Sequence, residues 1–140
     1  MTPTQRCRHG RGPDLQYGDL LSPARASANI GQFCMVMPWQ TGVVLTREVL
    51  GLRVVEGNSY GLDCFLLIAL LSLRVVQGQY AALTPMQTNR EHLEDRWREV
   101  VIPLPATESE RERVAGPVRE FFAAQVRARE SYHALMEVFD

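Results

Sequence analysis

The sequence predicts a small α+β domain, with a mixed or antiparallel sheet, a packed helix and a long protruding C-terminal helix. Three observations support this fold class. Residues 48–56 are rich in valine and leucine, as strands are. Residues 62–77 are apolar on most sides, which is typical of a helix that is buried on most sides. Apolar residues from position 114 to 139 recur at alternating spacings of four and three, which favours a helix that packs on another helix.

The residue pattern in the first half of the chain predicts short strands and turns. We interpret residues 1–16, which are rich in Arg, Gly and Pro and show no period, as a flexible arm. Pro103 and Pro105 cannot donate hydrogen bonds to a ladder, so they are expected to end a short edge strand. The strand-like segments are 33–37, 42–46, 48–56 and 100–102.

Capping signals mark the expected helix starts. Asp63 is placed to cap the helix at 62–77, and Thr107 with Glu110 forms a capping box before the long helix. Thr88 and Glu91 form another such box before a short helix that runs to about position 97. Within the long helix, Gly116-Pro117 predicts a kink or a restart. The expected division is a flexible arm at 1–16, a folded domain at 17–105 and the long helix at 106–140.

Composition restricts the function classes. The net charge is −1, but residues 1–54 carry six Arg against three acidic residues, so a DNA-facing surface is expected to draw mainly on this half. All fifteen basic residues are Arg, which makes forked contacts that Lys does not make. Three separated cysteines without a CxxC pair indicate a reducing cytoplasm and disfavour a zinc ribbon. The apolar run at 64–73 is too short to span a bilayer.

An enzyme is the less favoured class. Cys64 and His92 could form a nucleophile and base, with Asn89 or Asp95 as the orienting group. However, Cys64 lies inside an apolar helix, where a thiol is usually an inert small hydrophobic group. Neither a glycine-rich phosphate loop nor a cluster of metal ligands is found in the sequence. We therefore expect no catalytic residues, no metal and no cofactor.

Several short motifs occur in an order that resembles a known family. Gly18-Asp19-Leu20-Leu21 is followed by Arg25 and then by Asn29-Ile30-Gly31. Residues 62–79, with their closing glutamine, come next, and Val101-Ile102-Pro103-Leu104-Pro105 precedes the long helix. This order resembles the target recognition domain of the specificity subunit of type I restriction-modification systems. The similarity covers roughly residues 17–138.

The resemblance implies a function without catalysis in this chain. Such a domain reads bases in one half of a bipartite site on double-stranded DNA. Its long helix docks methyltransferase subunits, which methylate adenine, and a motor-nuclease subunit joins the complex for cleavage. A second copy of the chain could also pair with the helix. Two alternatives stay open: the C-terminal recognition fragment of an adenine methyltransferase, and a degenerate protein-interaction module that does not bind DNA.

The candidate residues follow from this interpretation and from the chemistry of base readout, which needs polar side chains on loops. The expected DNA-contacting residues are Arg25, Asn29, Gln87, Thr88, Asn89 and Arg90. A further group is Gln40, Thr41 and Arg47. The periodic positions of the long helix, apolar except for one polar member and here called the seam, are Val114, Val118, Phe121, Gln125, Ala128, Tyr132, Leu135 and Phe139. Partner binding is expected at Val118, Phe121, Gln125, Tyr132, Leu135 and Phe139.

Overall fold

A computed structural model of the chain describes residues 2–10, 12–25, 27–84 and 96–139. In this part of the chain, a four-stranded antiparallel sheet is combined with three α-helices, which confirms the predicted α+β class. The strands are β1 (Thr4–Arg6), β2 (Leu20–Pro23), β3 (Cys34–Met35) and β4 (Val49–Val54), and the helices are α1 (Cys64–Leu71), α2 (Arg74–Leu83) and α3 (Glu108–Phe139).

The sheet has the strand order β1-β4-β2-β3, so β4 lies between β1 and β2. Leu20 of β2 pairs with Leu52 of β4 and with Met35 of β3. Because side chains alternate between the two faces of a strand, this register places Leu20, Leu50 and Leu52 on the face that the helices cover and Leu21 on the opposite face. The predicted strand at 48–56 is therefore the structural centre of the sheet.

Three strand-level predictions need correction. Residues 1–16 are not an arm without regular structure, because Thr4–Arg6 forms β1 and pairs along β4. Residues 42–46 form no strand, and the strand predicted at 33–37 is confined to Cys34–Met35. Residues 100–102, predicted as a short strand, belong to no ladder among the described residues.

Gly51 explains how β1 joins the sheet. A Cβ atom at Gly51 would lie 2.9 Å from the Cβ of Cys7 and 2.8 Å from a methyl group of Leu45. The missing side chain lets the chain after β1 approach closely, and the Cys7 amide donates to the Gly51 carbonyl at 2.8 Å. Cys7 and Leu45 then belong to a small apolar cluster on this face of the sheet.

The other face of the sheet carries the main core. Leu20, Leu50 and Leu52 pack there against the helices. The helices contribute buried residues from both α1 and α2, namely Leu67, Leu71, Val76 and Tyr80. The packing of a helical layer on one side of the sheet is what the apolar character of 62–77 predicts.

The predicted single helix at 62–77 is in fact two helices. The first helix ends at Leu71. Ser72 still has α-helical backbone angles, but Leu73 is extended with a ψ of 139°. The side-chain amide of Gln77 donates to the Leu71 carbonyl at 2.7 Å and so compensates for a lost helical hydrogen bond. No single helix in the described ranges is long and apolar enough to cross a bilayer; α1 and α2 meet that test only as a pair bent by 70°.

The predicted starts of α1 and α3 are confirmed. The Asp63 carboxylate accepts a hydrogen bond from the Leu66 amide at 2.7 Å. Thr107 and Glu110 accept reciprocally from each other's amides, both at 3.2 Å, as a capping box requires. Of the two outcomes expected at Gly116-Pro117, a restart is wrong, because α3 continues through Pro117 to Phe139.

The first half of α3 packs on α1. Ala115 is buried against Leu66 and Leu70, on the side of α1 that faces away from the sheet. Phe122 stacks near Phe65 with ring centroids 6.1 Å apart. Helix α1 is therefore covered by the sheet on one side and by α3 on the other.

Because α1 is buried, truncating one of its leucine side chains should lower the stability of the domain strongly. Leu66→Ala is expected to lower the free energy of unfolding by about 2–5 kcal/mol, since a fully buried leucine loses its packing and leaves a cavity. The matched change Val75→Ala, at a site on α2 that is 63% exposed, should cost well below that range. Urea denaturation followed by circular dichroism measures both. Equal costs would contradict the assignment of α1 as the central core element.

Candidate functional site

The structure leaves most of the seam of α3 in solvent. Phe121 is 57% exposed, Tyr132 57%, Leu135 54% and Phe139 76%. Gln125 and Ala128 are exposed as well, while Val118 is half-buried at the border. The face of α3 that packs on the domain is instead formed by Ala115, Phe122 and their neighbours, one position along the helix from the seam. A one-residue offset corresponds to a rotation of about 100° around a helix of 3.6 residues per turn.

Helix α3 also extends beyond the domain. Every residue from 127 to 138 is exposed. The guanidinium of Arg129 lies over the Trp39 ring at 5.0 Å, and within the described ranges it is the most C-terminal ring or polar contact between α3 and the domain. The residues after it add about 15 Å of free helix, given a rise of 1.5 Å per residue. Tyr132, Leu135 and Phe139 lie on this free part.

Two arginines beside the seam are paired with carboxylates. Arg119 donates to the Glu112 carboxylate at 2.7 Å and to the Asp63 carboxylate at 3.0 Å, and these partners raise the pKa of Arg119 above its usual value. Arg127 pairs with Glu120 at 2.7 Å. At these positions the apolar stripe is flanked by paired charges rather than by free cations.

The sequence-predicted DNA residues that the structure describes lie at one end of the sheet. Arg25 follows the C-terminal end of β2, and Arg47 precedes the N-terminal end of β4. The Ala24 amide donates to the Glu48 carbonyl at 2.8 Å, so Arg25 and Arg47 are the next residues along the two paired chains. Asn29 is exposed in the turn that leads from β2 to β3 at this same end. Among the described residues, neither arginine has an ion-pair partner.

The remaining candidate DNA-contacting residues either lie outside the described residues or have a local structural role. Gln87, Thr88, Asn89 and Arg90 lie outside the described residues, as does His92. Gln40 has a local role, because its side-chain oxygen accepts from the Met37 amide at 2.9 Å and closes the 3₁₀ turn Pro38–Gln40. The structure thus brings Arg25, Asn29 and Arg47 to one end of the sheet and gives Gln40 a capping function.

The Gly18-Asp19-Leu20-Leu21 motif holds the fold together. The buried Asp19 carboxylate receives two hydrogen bonds from Arg53, at 2.8 and 2.7 Å, and one from the Gln16 amide at 2.8 Å. The side-chain hydrogen bonds from Arg53 to Asp19 raise the pKa of Arg53 further above its already high value. Leu20 is completely buried in the core. These motif residues join β2, β4 and the preceding loop, and no solvent-facing role is left to Asp19 or Leu20.

The other motif residues also make internal contacts. Gly31 adopts a φ of +89°, and a Cβ atom there would lie 2.5 Å from the Tyr80 ring, so this turn requires glycine. The Gln79 side chain donates to the Val101 carbonyl at 2.8 Å and accepts from the Val101 amide at 2.7 Å. The Gln79 amide thus bonds both backbone groups of Val101, as a neighbouring strand would.

The chemistry of the cysteines does not favour a nucleophile. Burial, followed by the charge of Asp63, raises the pKa of Cys64 to about 11, so its thiol carries its proton at neutral pH. Burial likewise raises the pKa of Cys7 to about 12. Within the described ranges, no group of three or more His, Cys, Asp or Glu side chains is arranged to hold a metal ion.

A groove with a volume of about 810 Å³ opens beside β1 and was not predicted from the sequence. Its lining comes from distant segments: residues 2–6, three leucines of α1 (Leu67, Leu70 and Leu71), Tyr80 of α2, and alternate residues from Val100 to Leu104. The alternation of Val100, Ile102 and Leu104 is the one local signal that could have drawn attention to it. Residues 2–6 and residues 100–104 are far apart in sequence, and no pattern in the sequence shows that they line the same groove.

Comparisons with known proteins add no family assignment. The chain matches no protein-family model, and no curated protein matches it significantly.

Proposed function

We propose that this chain is a non-catalytic recognition module that works inside a larger assembly. In this proposal the domain reads double-stranded DNA, and α3 docks on another subunit through its seam. The resemblance found in the sequence names the partners: a methyltransferase subunit, and a motor-nuclease subunit that joins for cleavage. A second copy of the chain is the partner that can be tested with the protein alone.

The exposed seam is the observation that carries the docking half of the proposal. Phe121, Tyr132, Leu135 and Phe139 follow one stripe of α3 and are each more than half exposed. Covering each large side chain would contribute about 1.5–3 kcal/mol. Contiguous apolar surface of this kind, rimmed by charges, is typical of protein interaction sites.

The DNA-reading half is supported by charge and by position. Arg25 and Arg47 each lie two residues beyond Pro23 and Val49, the last pair of the β2–β4 ladder, and Asn29 follows in the turn after β2. Two arginines at one end of a sheet suit a phosphate, which accepts charge-assisted hydrogen bonds from guanidinium groups. The excess of Arg over acidic residues in the first part of the chain favours the same end of the molecule.

A second candidate function, a protein-interaction module without DNA binding, is favoured by a different observation. Five arginines form ion pairs with carboxylates of the same chain and are therefore less available to DNA phosphates. These are Arg8, Arg53, Arg96, Arg119 and Arg127. The two functions differ in the salt dependence of DNA binding, because phosphate contacts release counterions and docking through an apolar seam does not.

Changing the free part of the seam tests the docking half. Tyr132→Asp with Leu135→Asp is expected to weaken self-association at least about 100-fold, since each side chain contributes about 1.5–3 kcal/mol when buried. The melting temperature of the domain should stay within about 2 °C, because exposed positions contribute little to folding. Sedimentation velocity and thermal denaturation measure the two effects.

Phe122→Asp serves as the matched control, because Phe122 is adjacent to the seam residue Phe121 but packs on α1. It should destabilise the domain strongly. Unfolding of the domain by the Tyr132 and Leu135 changes, or self-association that persists in that variant, would contradict the docking role of the seam.

The double change Arg25→Ala and Arg47→Ala tests the DNA half. With a duplex of random sequence, the slope of log K against log salt should become shallower by about 1.8, because each lost phosphate contact removes about 0.9. Fluorescence anisotropy at several salt concentrations gives the slope. Arg113→Ala, an exposed arginine on α3, is the control and should leave the slope unchanged. An unchanged slope in the double variant would favour the module without DNA binding.

A further inference from the structure

One wall of the groove beside β1 is the outer edge of that strand, where the described part of the chain adds no further strand. Residues 2–6 line it consecutively, which is how the edge of a strand, rather than one of its faces, borders a cavity. β1 is the terminal strand of the sheet and pairs with β4 on its other side. Open edges of this kind can accept a further strand.

The register shows which backbone groups face the groove. Val55 donates to the Pro3 carbonyl and Cys7 donates to the Gly51 carbonyl, both at 2.8 Å, so the odd-numbered residues of this segment bond to β4. In an antiparallel pair, bonded and non-bonded residues alternate. The N–H and C=O of Thr4 therefore point away from β4, and they have no hydrogen bond among the described residues.

The opposite wall and the floor of the groove are apolar. Val100, Ile102 and Leu104 line the far wall at alternate positions, and the bonds from Gln79 to Val101 hold this segment extended. Leu52, Leu67, Leu70, Leu71 and Tyr80 form the floor. A chain lying between the two walls would place alternate side chains on this floor.

The rim provides a cation and a free donor. Arg98 lines the groove with its guanidinium 5.4 Å from the centre of the Trp97 ring, and it has no ion pair within the described part of the chain. The indole N–H of Trp97 is buried without a hydrogen-bond partner. Both groups are donors, so the chemistry that complements them is a carboxylate.

We propose that the groove binds an extended segment of a partner protein, which adds a strand to the open edge of β1. Its backbone bonds to Thr4, its alternate apolar side chains cover the leucine floor, and an acidic side chain meets Arg98. Strand addition combines main-chain hydrogen bonds for affinity with side-chain pockets for specificity. This site shares no residue with the seam of α3 and does not depend on the proposed function.

The probe is a synthetic eight-residue peptide in which valine alternates with threonine and one threonine is replaced by aspartate. The 140-residue chain should bind it saturably, with a dissociation constant of about 10–100 µM, as expected for a short peptide that loses conformational freedom. A peptide of the same composition without alternation should bind at least tenfold more weakly, because fewer of its valine side chains would contact the apolar floor. Isothermal titration calorimetry measures both.

Two proline variants separate binding from folding. Thr4→Pro removes an N–H that faces the groove and leaves the bonds to β4 in place, since proline is tolerated at a strand edge. This variant should keep the melting temperature and lose about tenfold in peptide affinity. Gln5→Pro removes an N–H that the register directs at β4, so it should lower the melting temperature instead.

A charge exchange tests the role of Arg98. Arg98→Glu should weaken binding of the aspartate peptide about tenfold, and a peptide with lysine at the same position should recover most of that loss. Three results would each overturn the proposal: no saturable binding at millimolar peptide, equal affinity for the alternating and non-alternating peptides, or unchanged affinity in a folded Thr4→Pro variant.

Discussion

Helix α1 imposes the constraint on which the rest of the structure depends. Its eight residues, from Cys64 to Leu71, carry no charge and are apolar all round, so one covering layer is not enough. The sheet covers Leu67 and Leu71, and the first half of α3 covers Leu66 and Leu70. Helix α1 is consequently covered from two directions, and Ala115 of α3 is buried in one of the two contacts.

Polar contacts fix α3 in that position. The Asp63 carboxylate caps α1 through the Leu66 amide and also bonds Arg119 of α3 at 3.0 Å. Arg111 donates to the carbonyls of Pro105 and Ala106, which sets the direction in which α3 leaves the domain. The seam is turned away from α1 because Ala115 and Phe122 occupy the packed face. The exposure of Tyr132, Leu135 and Phe139 is thus a consequence of how α1 is covered.

Features that depend on residues close together in the sequence were predicted correctly. The fold class, the strand at 48–56, the Asp63 cap and the Thr107–Glu110 capping box were all predictable, because each depends on neighbouring residues. The break after Leu71 was not predictable, since it is stabilised by Gln77 through contacts with Leu71 and with the distant Gly31. β1 was missed because three residues with no hydrophobic period become a strand through pairing with β4. Of the candidate site, the stripe on α3 follows from periodicity, whereas the groove beside β1 arises from tertiary contacts alone.

The division of α3 into a core half and a free half is the central claim, and hydrogen exchange along the helix tests it most directly. The isolated chain is measured at a concentration where sedimentation shows a monomer. Amides from 112 to 126 should exchange with the free energy of global unfolding, because this half is packed on α1. Amides from 130 to 138 should exchange at least about 100-fold faster, since helix in solvent opens locally. Uniform protection through to residue 138 in the monomer would contradict the account.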